Sequence, residues 1–268
     1  MGVVQILAEK PTIGAETIFN IGGFPVTNSL LMAWLITLII VAISYFISRR
    51  MRIIPKRWQN IVEIVYESMY GLVEQICGDK RIARKIFYLI ASLFIFIGFS
   101  NLLGLFVPFL GSFTYKGVSI FRTPTTDFNT TLSLALAMVL VIQAASIKKW
   151  GLLKHFSNYF KFHEIINGFR KGASAGVMGI VNFLIGLLDI VSEVARVISL
   201  SIRLFGNIFA GEMLAVILLG FLAYGLPVGW MVMNIFAGFI QAMVFGSLTT
   251  AYYSLAVAGG EVEEAICN

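Results

Sequence analysis

The chain has 268 residues, of which 58% are hydrophobic and only 13% charged, with a formal net charge of +6. Soluble domains usually carry about 25% charged residues, so this balance, with a mean hydropathy of +0.88, is that of a membrane protein. The pI of 9.4 does not point to nucleic acid, because the basic residues gather at the ends of apolar runs, where they report topology.

The first apolar run, "TNSLLMAWLITLIIVAISYFIS" (27–48), is uncharged and long enough to span a hydrocarbon core. Residues 1–26 carry Glu9, Lys10 and Glu16 in place of a basic n-region, so no cleaved signal is expected. Residues 58–77, "WQNIVEIVYESMYGLVEQIC", set Glu63, Glu67 and Glu74 on one helical face and Ile61, Val65, Met69 and Leu72 on another. That pattern fits a helix on the cytoplasmic membrane surface or one packed on a partner protein. Two further runs, 86–111 and 130–147, form a spanning hairpin.

Fifteen of the 20 basic residues fall in two loops, 49–85 and 148–171. The positive-inside rule makes both cytoplasmic and the N-terminus external. Cys77 and Cys267 form no disulfide framework or metal pattern. His155 and His163 both lie in a basic loop, so neither a metal nor another cofactor is expected.

Residues 173–220 are nearly all apolar and contain no proline, and residues 228–258 are uncharged. At 1.5 Å per residue they would reach roughly 70 Å and 45 Å, beyond a ~30 Å core. Either the first is two helices or both are long helices strongly tilted. The stretch "FLAYGLPVG", with Gly225 and Pro227, suits a tight turn between them.

The first long stretch carries Asp189, Glu193, Arg196, Arg203 and Glu212, and ionisable groups inside a membrane are costly and usually functional. On a helix, Asp189, Glu193, Arg196, Arg203 and Asn207 fall within about 80° of one another. Ser192, Ser199, Gly206 and Ala210 border that face, leaving room for a close neighbour. Positions one turn from Arg203 hold no anion, and Glu212 falls about 180° around the helix. The counter-ion is therefore expected from another chain, the alternative being a side chain that snorkels to the surface. Asn234, Gln241 and Tyr252 align within about 20° on the last helix. Spacing alone leaves them equally a water path or hydrogen-bonding glue within the hairpin.

These residues resemble subunit a of the F-type ATP synthase family. The resemblance rests on "RLFGN" with Arg203, the upstream "SEVARVISLSI" and "QAMVFGSLTTAYYSLA" beyond the turn. It extends back through "PTTDFNTTLSLAL", "FSNLLGL" and "RWQNIVEIVYE", covering nearly the whole chain. It implies an all-α integral membrane protein: an N-out spanning helix, a cytoplasmic-surface helix, a spanning hairpin, then a long tilted hairpin facing a ring of c subunits. Arg203 matches the arginine that meets the ring carboxylates. Asn207, Glu212, Gln241 and Tyr252 match ion-path and interface positions, and Asp189 and Glu193 match acids of the cytoplasmic exit. Some members have a histidine where this chain has Asn234.

The resemblance further implies a non-catalytic stator subunit with two offset half-channels, one admitting protons near Glu212, with Gln241 and Asn234 as neighbours. Its partners would be the c ring, subunit b of the peripheral stalk, the rest of the complex and the lipid bilayer. A bacterial plasma membrane is expected, with mitochondrial inner or thylakoid membranes as alternatives. A stand-alone secondary transporter using Arg203 as an anion site is the competing reading, but the two related halves common in such proteins are absent from this sequence. A non-conducting anchor leaves the buried charges unexplained.

Overall fold

The computed structural model describes residues 14–21, 23–53, 56–104, 114–115, 118–119, 122–152, 173–221 and 226–267. Lys10, Lys116, both histidines, Gly225 and most of the expected basic loop at 148–171 lie outside them. The chain is an all-α membrane protein with two short antiparallel hairpins, β1 (Thr17–Ile21) with β2 (Phe24–Thr27) and β3 (Thr114–Tyr115) with β4 (Val118–Ser119).

Helix α1 (Asn28–Arg50) starts where Thr27, extended, accepts from the Leu30 N–H. Arg49 and Arg50 occupy its last turn, where cations favour the helix dipole. It buries only the stripe Asn28, Ser29, Met32 and Ile36, packing on α3 (Lys80–Gly104), while Leu38, Val41 and Phe46 remain exposed. Apolar side chains all round a helix suit hydrocarbon.

Helix α2 (Arg57–Cys77) ends at Gly78, whose φ of 68° is left-handed and whose N–H returns to the Glu74 carbonyl. Glycine takes that conformation without a Cβ penalty. Asp79 then accepts from the Arg81 N–H and starts α3 upstream of the apolar run. The resulting turn folds the two helices together, with the Phe87 ring edge-on to Tyr66 and Tyr70 at 4.8 and 5.2 Å. The expected apolar face of α2 divides: Met69 and Leu72 are half-buried beside buried Val73, while Ile61 and Val65 are exposed.

A 3-10 turn, η1 (Pro124–Thr126), precedes α4 (Phe128–Trp150). The long apolar stretch forms one helix, α5 (Ala173–Phe221), of 49 residues, and not two. The last helix, α6 (Leu226–Cys267), has 42 residues. By length and composition α1, α3, α4 and the Val228–Val257 part of α6 can each cross a membrane.

The residues form two compact units, both drawing on α4, α5 and α6. The first comprises residues 1–133 and 201–251, with Met32, Ile36, Ile90, Ile97, Leu204 and Phe245 among its core. The second comprises 134–200 and 252–268, with Ala135, Met138, Ile142 and Leu200 buried. Within the first, α3 and α6 approach closely. A Cβ on Gly238 would lie 2.9 Å from that of Asn101, and the Asn101 amide donates to the Gly238 carbonyl at 3.1 Å. Small residues permit such contact between spanning helices.

Candidate ion-path residues

The first unit contains a buried polar network centred on "RTPTTD", residues 122–127. Pro124 sets the 3-10 turn, and the Thr126 N–H and hydroxyl both donate to the Thr123 carbonyl, at 3.1 and 2.8 Å. Asp127, 4% exposed, caps α4 by accepting from the Asn129 N–H and the Thr130 hydroxyl. It also accepts from Ser29 of α1 at 2.8 Å. A carboxylate removed from water needs such donors.

Thr125 donates to Asn101 of α3 at 3.1 Å, and Thr123 donates to Glu212 of α5 at 2.8 Å. Arg122 donates to the Thr126 and Gly14 carbonyls, holding the turn from its other side. The turn is thereby tied to α1, α3 and α5. Glu212 is half-buried, and its hydrogen bond runs to Thr123.

Around Arg203, α5 has two contrasting sides. Ser201, Leu204, Ile208 and Gly211 are buried, whereas Ile202, Arg203 and Ala210 are exposed, with Gly206 and Asn207 between. The Arg203 guanidinium is thus carried on the outward side of a helix whose inner side makes the core. Asn207 donates to the Ala237 carbonyl of α6 at 3.3 Å, and Trp230 to the Gly211 carbonyl at 2.9 Å. Asn234 stands directly over Gly211, in the space that a side chain there would need. Gln241 is 6% exposed, and its Nε2 has no hydrogen-bond partner among the described residues.

The second unit holds the remaining charges of interest. Arg196 pairs with Glu193 at 2.9 Å, and its Cζ sits 4.0 Å from the Tyr252 ring centre. The Arg196 guanidinium is thus held between an acid and an aromatic ring. The other Glu193 oxygen is buried without a hydrogen bond to any of the described residues. Asp189, Ser192 and Ser199 are exposed. Among the described residues, no three His, Cys, Asp or Glu side chains stand together as a metal site would need.

The structure therefore brings Glu212 to Thr123, Asn234 to Gly211 of α5, Asn207 to α6, and Glu193 with Arg196 to Tyr252. Asn101, Thr123, Thr125 and Asp127 are not among the residues singled out by sequence reasoning. Their segments "FSNLLGL" and "PTTDFNTTLSLAL" contribute to the family resemblance, and that was the available signal.

Residues 30–254 match the family model of the ATP synthase A chain. An ATP synthase subunit a from Moorella thermoacetica is 31% identical over 242 residues, covering 90% of this chain and 96% of the relative. One from Syntrophobacter fumaroxidans is 32% identical over 261 residues, 95% of each chain. One from Campylobacter jejuni is 30% identical over 233 residues, 86% of this chain and 88% of the relative.

Proposed function

The chain belongs to the ATP synthase A chain family, and from that membership we propose that it is the proton-translocating stator subunit of an F-type complex. Acting against the ring of c subunits, it couples proton flow to ring rotation. ATP chemistry takes place elsewhere in the assembly, and this subunit contributes no catalytic group to it. The observation that carries this reading is Arg203, a permanent cation on the exposed side of α5 beside exposed Ile202. A permanent cation exposed on a helix of a membrane protein marks a surface that suits a partner presenting negative charge. Ring carboxylates supply it.

Protons enter from the outer side near Glu212 and load a carboxylate of the ring. The neutralised ring turns through lipid, and the proton leaves toward Asp189 and Glu193. Arg203 stands between the two half-channels. A fixed cation favours the ionised form of a carboxylate beside it, so an arriving ring group gives up its proton there. The same charge repels a proton crossing directly. Asn207, Asn234, Gln241 and Tyr252 line the route or the ring interface, and Ser192, Ser199, Gly206 and Ala210 let ring helices approach. Subunit b and the peripheral stalk hold the chain against the torque of the turning ring.

Mild purification from native membranes tests this reading. The chain is expected to co-purify with many copies of a small carboxylate-bearing subunit. A chain that instead transports a solute when reconstituted alone would overturn it in favour of a stand-alone carrier.

The membrane is a bacterial plasma membrane, crossed with the N-terminus outside and the loops at 49–85 and 148–171 in the cytoplasm. Single cysteines at Lys116 and Lys154, in a background lacking Cys77 and Cys267, check the orientation. Position 116 should react with an impermeant reagent from outside and position 154 from the cytoplasm. The opposite pattern contradicts the proposed topology.

A further inference from the structure

We propose that Thr123 is a positioning residue for proton uptake: its hydroxyl fixes the Glu212 carboxylate in the orientation that exchanges protons with the inlet. The proposal rests on the reading of Glu212 as the inlet acid, and it adds a specific partner to that residue. Thr123 is wholly buried and donates to Glu212 Oε1 at 2.8 Å. One carboxylate oxygen is thereby occupied, and the other is left to take and release the proton.

The threonine is itself held on several sides. Its carbonyl accepts from both the N–H and the hydroxyl of Thr126. Its side chain lies against the backbone of Gly104 in α3, where a Cβ would come within 2.9 Å of both Oγ1 and Cγ2. A β-branched side chain has few χ1 choices even when free, and this contact leaves little room to exchange the hydroxyl and methyl positions. The neighbouring turn is tied to α1 through Asp127 and Ser29, and to α3 through Thr125 and Asn101. Glutamate is flexible, and a reactive group gains from being held near its productive geometry by a rigid surround. Thr123 supplies that constraint from outside the helix that carries Glu212.

A purely structural threonine would also be buried and hydrogen-bonded, so the test must separate packing from positioning. The intact complex is reconstituted into vesicles with Thr123→Val, Thr123→Ser, Glu212→Gln and the Val/Gln double variant. ATP synthesis driven by an imposed proton gradient is measured per assembled complex. Losing a hydrogen bond to a charged acceptor predicts a rate about tenfold lower for Thr123→Val. Thr123→Ser should restore most of it, and the double variant should be no slower than Glu212→Gln alone.

Multiplying losses in the double variant, equal losses for valine and serine, or an undiminished rate for valine would each overturn the proposal. If the valine variant does not assemble, Thr123→Ala takes its place in the same cycle and is judged by the same outcomes. A normal rate for Glu212→Gln refutes the inlet reading itself. A slow Glu212→Gln beside a fast Thr123→Val refutes only the role given to Thr123.

Discussion

Replacing Arg203 with alanine is expected to abolish coupled ATP synthesis while leaving the complex assembled in the membrane. The guanidinium is carried on the exposed side of α5, and the packed core of this part of the helix is made by Leu204 and Ile208 on its other side. Removing it therefore leaves that core intact, while the charge proposed to meet the ring is lost. In the proposed mechanism, a ring carboxylate is then no longer driven to release its proton at the stator, and ring rotation loses its connection to proton flow. Lysine should fail too. An ammonium in an apolar setting can give up its proton where a guanidinium does not, and it lacks the planar fork that matches a carboxylate. If Arg203 only anchored the fold, alanine would remove the subunit from the membrane, which immunodetection of the purified complex would reveal.

Replacing Glu212 with glutamine should slow gradient-driven synthesis by about 100-fold, the lower range for losing a positioned acid–base group. No leak should accompany it. Glu212 and Arg203 point to roughly opposite sides of α5, nine positions apart in the chain, so the barrier that Arg203 is proposed to form between half-channels remains. Glutamine preserves the shape and can still accept from Thr123, but it cannot exchange a proton. Synthesis at the normal rate in reconstituted vesicles would count against a relay role, and loss of assembly would indicate a residue that only ties α5 to the η1 turn.

Much of this architecture is legible in the sequence because its driving pattern is local. Uncharged runs of spanning length mark α1, α3 and α4, and the alternating faces of "WQNIVEIVYESMYGLVEQIC" mark α2. Whether residues 173–220 form one helix or two is not decided by hydropathy, since glycines within the run allow either. The structure forms one helix, α5, of 49 residues.

The polar network is harder to find because its partners are distant in the chain. Thr123 and Glu212, or Asn101 and Gly238, meet only after folding. "PTTD" does indicate a proline-started turn and a capped helix, but not which helices the threonines will reach. Arg196 illustrates the same limit. Its pairing with Glu193 at a spacing of three is readable from a helical wheel, whereas its stacking on Tyr252 of α6 depends on tertiary structure.

The central claim is that Arg203 separates two half-channels that communicate only through the ring. Its most direct test is passive proton conductance of the membrane sector in vesicles, with the catalytic head removed and Arg203 changed to alanine. The conductance should persist or rise above that of the unaltered sector, in the same preparation whose complete complex makes no ATP. An assembled Arg203→Ala complex that still synthesises ATP at the normal coupled rate, or a membrane sector whose proton conductance is lost, would contradict the account.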